Sequence, residues 1–231
     1  RWNRVPICVC DGHGDVLFFW KNTHEGRARS VLHLDSHADM MTNWTSQLWT
    51  DAGPGWEPPA RESFEERIAT EVDLANFQPS AVFQGLVDAI VWLRSDFTLG
   101  RYNGPPPGHY RRVLGMPNYA VPGQDDPVVG EGARPLLAFF HVSGKSFAEY
   151  GLGRAVQRRP EVPLEHNTRW DDGWKCTRPP VEALSASFNH SVVTLEQLGS
   201  ECVLREVRET LRVDGHSRDW ILDIDLDFFA T

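Results

Sequence analysis

No Lys/Arg-rich run offsets the net charge of −9, which reflects 23 basic against 32 acidic side chains. The nearest candidate, Arg111-Arg112, is too short to make a nucleic-acid surface, so that partner class is excluded. No apolar stretch approaches the roughly 20 residues of a membrane span, and no signal-peptide pattern is present. The four cysteines, Cys8, Cys10, Cys176 and Cys202, form no C-x-x-C pair, which excludes a thiolate zinc site. Cys8 and Cys10 alternate in an apolar run and read as small hydrophobes on one face of a strand. A reducing, cytoplasmic setting follows. Without a secretion signal, the glycosylation triplets Asn43-Trp44-Thr45 and Asn189-His190-Ser191 carry no weight. There is no Gly-x-Ser-x-Gly elbow to support a serine hydrolase. Gly144-Lys145-Ser146 ends like a P-loop, but Phe139 stands where the first glycine is required, so it reads as a strand-to-helix turn.

What is present is enough for one domain over residues 1–231, with 41% hydrophobic residues and nine tryptophans to fill its interior. The chain opens on Arg1 rather than Met and stops four residues after Asp227, which reads as a processed or fragmentary chain truncated at the C-terminus. Strands are expected at Val5–Cys10, Val31–Leu34, Ala89–Leu93, Pro135–Val142 and Trp220–Phe229. Val16–Trp20 is apolar enough to begin a helix or a second buried element, and Pro79-Ser80 opens a helix over Ala81–Val87. Thr194 and Gln197 form a capping-box pattern before a helix whose stripe is Val203, Leu204, Val207 and Leu211, ended by Asp214-Gly215. Trp49–Glu62, Ser95–Arg134 and Arg158–Asn189 read as irregular. Alternating strands and helices predict an α/β domain with a mainly parallel sheet, whose ligands bind beyond the carboxyl ends of the strands.

Two acidic clusters fall at such ends. Val31–Leu34 delivers Asp35-Ser36-His37-Ala38-Asp39, and Trp220–Leu222 delivers Asp223-Ile224-Asp225-Leu226-Asp227. A strand has period two, so Asp35, His37 and Asp39 can share a face, as can Asp223, Asp225 and Asp227. Aspartate is depleted in strands, and aligned carboxylates repel unless a cation lies between them. His13 follows the first expected strand and can join them. Carboxylates and imidazoles without thiolates suit Mn²⁺, Zn²⁺ or Fe²⁺. The plainer alternatives are a loop in which Asp35 caps a helix with Asp39 solvated, and an edge strand with its acidic face in water. His141, at the end of its strand, is a candidate proton shuttle or a structural histidine. His109, in the proline loop, reads as solvent-exposed.

The segments Cys10–Leu17, Leu32–Asp39 and Ile221–Phe229 resemble uncharacterised protein family 0489, and Asn76–Leu93 is similar to it. That family is distantly related to arginases and histone deacetylases. The resemblance implies a three-layer αβα fold with a two-metal centre, and His13, Asp35, His37, Asp39, Asp223 and Asp225 fall on its ligand positions. It would have Asp35 and Asp223 bridge two ions, with His13 and Asp39 completing one and His37 and Asp225 the other. Asp227 would stand behind these ligands or replace one. Gly12 and Gly14 flank the first histidine where the family has charged residues, and Phe228-Phe229 replaces the arginase proline. Guanidinium specificity is therefore not implied.

The expected function is hydrolysis of a C–N bond in a small amide, amidine or acylated amine. Two ions, Mn²⁺ or Zn²⁺, would lower the pKa of a bridging water toward neutrality and stabilise charge on the attacked centre. The alternative is a non-catalytic, metal-stabilised interaction domain. A metallophosphoesterase would rest on the same ligands and ranks third.

Overall fold

A computed structural model of the chain describes residues 6–23, 26–42, 45–46, 57–95, 106–118, 134–147, 180–211 and 220–229, without the side chains of 45–46, 134–135, 141–143 and 145–146. Strands β1 (Arg29–Asp35), β3 (Val87–Arg94), β4 (Gly108–Pro117), β6 (Ala138–Ser146), β7 (Pro180–Thr194) and β8 (Trp220–Ile224) form one sheet in the order β6-β4-β7-β3-β1-β8. Two-residue strands β2 (Thr45–Ser46) and β5 (Arg134–Pro135) pair separately. The β7-β3-β1-β8 part is parallel, while β4 runs antiparallel to both β6 and β7. The fold is α/β with a mixed sheet, and the sheet is only partly parallel. Among the described residues no helix is long and apolar enough to cross a membrane.

Alternation along the central strands builds a core on each face. On β3, Ile90 and Trp92 join one core while Val91 and Leu93 join the other, so the apolar run is buried on both sides. Helices α1 (His13–Asn22), α2 (Arg61–Thr70) and α3 (Phe77–Phe83) supply the first core with Trp20, Phe64, Ile68 and Phe77. Helix α4 (Glu201–Leu211) covers the opposite face with Val203, Val207 and Leu211, while Leu204 is only partly buried. The Thr194 and Gln197 pair makes the reciprocal bonds of a capping box, but around a 3-10 turn, Gln197–Gly199, that precedes α4. Asp214-Gly215 lies outside the described residues.

Several expected elements differ. Residues 6–10 form no strand: Ile7 and Val9 are exposed, and so are Cys8 and Cys10, so these thiols are not core. Helix α3 starts and ends earlier than its sequence pattern, and its end is set by Gly85, which takes a left-handed φ of 71° just beyond the cap. The Gly85 N–H then reaches Val82 O at 3.0 Å and the Leu86 N–H reaches Ala81 O at 2.9 Å, the bond pair of a Schellman stop. Helix α2 was not expected, since Phe64 and Ile68 are its only buried positions in a charged run. Strands β4 and β7 also fall where irregular chain was expected. Arg112 is fully buried within β4, its guanidinium 4.7 Å from the Phe139 ring, which disguised a strand as a basic loop. Gly144-Lys145-Ser146 lies inside β6, not at a strand-to-helix turn. Gly144 has a φ of 139°, and a Cβ there would collide with the His109 carbonyl of β4. The Asn189 triplet is internal to β7, between β3 and β4.

A substitution at Gly85 isolates the backbone term, because a Cβ there meets open space. Gly85→Ala is expected to lower unfolding free energy by about 1 kcal/mol, with Gly85→Asn costing less. A denaturant midpoint unchanged in Gly85→Ala contradicts this reading of the α3 stop.

Candidate metal centre

The centre lies at the carboxyl ends of β1 and β8, which run parallel with His33 opposite Asp223. Strand β1 ends at Asp35, and the main chain is fixed there by the Trp92 indole N–H, which donates to Asp35 O at 3.1 Å. The following residues do not continue the strand. Asp39 adopts a left-handed φ of 48°, a conformation aspartate tolerates better than most residues, and its carboxylate meets His13. Strand β8 stops at Ile224, after which the Asp225 N–H still pairs with Leu34 O at 2.9 Å. Residues Leu226–Phe229 then form a 3-10 turn, with the Asp227 N–H donating to Asp225 Oδ1 at 2.8 Å. The expected strand through Phe229 is thus cut short, and the three late aspartates do not share one strand face.

His13 is the first residue of α1 rather than the end of a strand. Its Nδ1 lies 2.6 Å from Asp39 Oδ2 and 3.7 Å from Asp35 Oδ2, while its Nε2 lies 3.0 Å from Asp225 Oδ2. His37 Nδ1 lies 3.5 Å from Asp35 Oδ1 and 2.9 Å from Asp227 Oδ2. Among the described residues two groups of candidate ligands result, His13-Asp35-Asp39 and Asp35-His37-Asp227, with ligand atoms inside each group all within 4.8 Å of one another. Asp35 belongs to both. The second group uses Asp227 where the resemblance put Asp225. Asp223 joins neither group: its Oδ2 is 2.7 Å from His33 Nδ1.

The site is graded from dry to wet. Asp35 is 1% exposed and Asp39 is buried, whereas the His37 side chain is 44% exposed and that of Asp227 36%. Ser36 ties the wet side together, its hydroxyl donating to Asp227 Oδ2 at 2.6 Å and its N–H to Asp227 Oδ1 at 3.2 Å. On the dry side the buried Phe77 ring packs against His13 and His33, with centroids 5.3 and 6.2 Å away.

Burial, then the neighbouring Asp39 charge, pushes the Asp35 carboxyl up to about 10. The hydrogen bond that His13 donates to Asp39 raises its pKa to about 8 against the opposing effect of burial. Burial would lower His33, but its bond to Asp223 outweighs this and raises it. Burial would raise Asp227, yet the Ser36 bonds bring it below the ordinary carboxylate value. Without a cation, the centre therefore retains protons that a cation would displace. Fit to a metal rests on one further observation: the buried Asp35 Oδ2 has no hydrogen-bond partner. A divalent ion coordinated by Asp35 satisfies that atom, and the donor set suits Mn²⁺, Zn²⁺ or Fe²⁺.

The other sequence candidates lie elsewhere. His141 sits inside β6, with β4, β7 and β3 between it and β1, so it is neither at a strand end nor on the same sheet edge; its side chain lies outside the described residues. His109 is not a loop residue but part of β4, joined to Ser191 Oγ at 2.8 Å and Thr210 Oγ1 at 3.2 Å. The sequence reading overlooked His33, Ser36 and Phe77. His33 was within reach of the strand rule, since it precedes Asp35 by two residues on the same face. No model of a known protein family matches the chain, and no curated protein matches it.

The shifted groups give a signed prediction. Asp35 and His13 both have folded-state pKa values above their unfolded ones, so their stabilising contribution is full below the unfolded values of 3.8 and 6.5 and is lost as pH rises toward 10 and 8. His190, held neutral by burial, acts in the opposite sense, but mainly below the ordinary histidine value of 6.5. The melting temperature of chelator-treated protein is therefore expected to fall between about pH 7 and 8, and the rise on adding Mn²⁺ to grow over that window. A chelator-treated protein that gains stability over it contradicts this account.

Proposed function

We propose that the centre binds two divalent cations, Mn²⁺ or Zn²⁺, and that the protein is a hydrolase of a C–N bond in a small amide, amidine or acylated amine. The observation that carries this reading is Asp35, buried, without a hydrogen bond at Oδ2 and common to both ligand groups. One ion would be held by His13, Asp35 and Asp39, the other by Asp35, His37 and Asp227. When bound, such a pair supplies a water of lowered pKa and positive charge for the attacked centre.

The chain's own residues divide the remaining tasks. Asp35 and Asp39 hold negative charge in a dry position, which strengthens every electrostatic interaction made there. The Asp225 carboxylate faces His13 Nε2 and can fix that ring with Nδ1 turned inward. Phe77 excludes water behind His13 and His33. His37 and Asp227 lie on the solvent side, where a small substrate can approach, and Ser36 keeps the Asp227 carboxylate in place. Helices packed on both faces of the sheet support the further reading that this is a three-layer, arginase/deacetylase-like domain related to uncharacterised family 0489. The exposed free thiols of Cys8 and Cys10 support a reducing, cytoplasmic setting.

A metal-stabilised interaction domain is the second reading. It is favoured by Trp220, Leu222 and Ile224, which leave apolar surface exposed along the edge strand β8. Catalysis requires a coordination position open to water or substrate, and a purely structural site does not.

Elemental analysis of protein purified with Mn²⁺ tests the ligand assignment. Wild type is expected to carry two equivalents, Asp35→Ala none, and His37→Ala or Asp227→Ala one. Equal metal content in all four sinks the assignment. For activity, Mn²⁺-loaded protein should release amine from a panel of short amides and acylated amines, and Asp35→Ala should lose at least about a thousand-fold in rate, an effect of the size produced by removing a principal electrostatic group. A hydroxamate that raises the melting temperature of wild type but not of Asp35→Ala would support the open site. Wild type that binds two ions yet neither hydrolyses the panel nor responds to hydroxamate favours the interaction domain.

A further inference from the structure

Cys8 and Cys10 stand two residues apart, the spacing that puts alternate side chains of an extended chain on one side. That alternation predicts burial in a strand, but residues 6–10 lie outside both sheets. Both thiols are free and exposed, as are Ile7 and Val9. The thiols also touch, the Cys8 sulfur sharing a hydrogen bond with that of Cys10. An extended chain separates such Cα atoms by roughly 7 Å at most. A disulfide prefers about 5.5–6 Å, so closure asks the chain to tighten by about 1 Å. Within a ladder that movement would disturb backbone pairing, whereas residues 6–10 belong to no ladder. The bond so formed would be exposed and somewhat strained, which places it among labile, exchangeable disulfides rather than structural ones.

We propose that Cys8 and Cys10 are a redox-active pair that closes reversibly to a disulfide by exchange with a small cationic disulfide. One protein thiol loses its proton and attacks a sulfur of the small disulfide, and the first small thiolate leaves. The other protein thiol then loses its proton, attacks the protein sulfur of the mixed disulfide and expels the second small thiolate. The two leaving thiolates take up the two protons. One small disulfide is reduced to two thiols while two protein thiols are oxidised to one disulfide, so the electrons balance without a further oxidant. The charge of the partner follows from the surroundings. Asp15 and Asp223 act on Cys10, and Asp11 adjoins it in sequence. Partial burial, the Cys8 thiol and the Asp15 and Asp223 carboxylates push the Cys10 thiol up, which slows exchange at neutral pH. A negative field repels the anionic disulfide of glutathione and attracts a cationic one. The pair includes none of the ligands assigned above and stands independently of the metal reading.

The test is incubation of the whole reduced chain with cystamine, then acid quenching, alkylation and peptide mass spectrometry, for wild type, Cys8→Ser and Cys10→Ser. Wild type is expected to give one peptide that carries both cysteines and has lost two hydrogens, in protein that stays monomeric. Excess cysteamine should restore both thiols. Each serine variant should instead accumulate a mixed disulfide with cysteamine, because no second thiol stands beside the first to displace it. In wild type that adduct should resolve at least about 100-fold faster than millimolar external thiol resolves it in the variants, the advantage of a neighbouring nucleophile. The closing rate with cystamine should fall as salt is raised, and the rate with oxidised glutathione should rise. Wild type that stops at the mixed disulfide overturns the proposal, as does pairing of either thiol with Cys176, Cys202 or a second chain. Cys8 and Cys10 that remain fully alkylatable at a cystamine excess that modifies Cys202 overturn it too. A reversed salt dependence overturns the assignment of a cationic partner.

Discussion

The burial of a single carboxylate at the end of β1 constrains everything around it. Asp35 is carried to a dry position by a strand whose other side chains fill two cores, so it cannot retreat to water without disturbing the sheet. The His37 N–H satisfies Oδ1 at 2.6 Å, while Oδ2 receives no hydrogen bond and faces only the imidazoles of His33 and His13, at 3.3 and 3.7 Å. Burying a charge in this way costs several kcal/mol unless a counter-charge or a proton accompanies it, and the upward push on its pKa is the same fact stated chemically. Left ion-free, the site answers with protons. On the reading proposed here, a divalent cation would replace those protons and convert an unfavourable arrangement into a binding site. Stability and metal binding would then be coupled through one residue.

The rest of the site follows from how neighbouring segments meet that carboxylate. Helix α1 begins at His13, so its first side chain is delivered to the strand end with little freedom, and Phe77 from α3 packs against its ring. The parallel pairing of β1 with β8 puts Asp223 beside His33, and the β8 turn brings Asp227 to Ser36 and His37. Because β8 is an edge strand, one side of the centre faces solvent while the Phe77 side is closed. The open side comes from the position of β8 at the edge of the described sheet, and the closed side from the packing of α3.

Much of the site could be read in the sequence, because it rests on short-range rules. Asp35, His37 and Asp39 were visible as ligand types at regular spacing after an apolar strand, and β1 and β3 as buried runs. The strand rule was carried too far beyond Asp35 and Ile224. Asp39 reaches His13 through a left-handed residue, and Asp227 reaches His37 through a 3-10 turn; period two encodes neither. Long-range pairing was the larger blind spot. That Asp223 would oppose His33 depends on which strands are neighbours, and that information is spread over the whole sheet. Strands β4 and β7 escaped notice for a related reason. Arg112 in β4 and the Ser, Asn and His residues of β7 are poor strand signals on their own, and they become strand residues because their neighbours in the sheet bury and pair them. With β4 unseen, its antiparallel direction could not be anticipated, and the sheet was expected to be more parallel than it is.

The central claim is that Asp35 lies between two divalent ions. Crystals of the protein soaked in Mn²⁺ and measured at a wavelength where manganese scatters anomalously test it directly. The account predicts two anomalous peaks on either side of the Asp35 carboxylate, about 3.5–4 Å apart as in other paired-metal sites. A single peak that does not contact Asp35, or no peak within the His13, Asp35 and His37 cluster at saturating Mn²⁺, would contradict it.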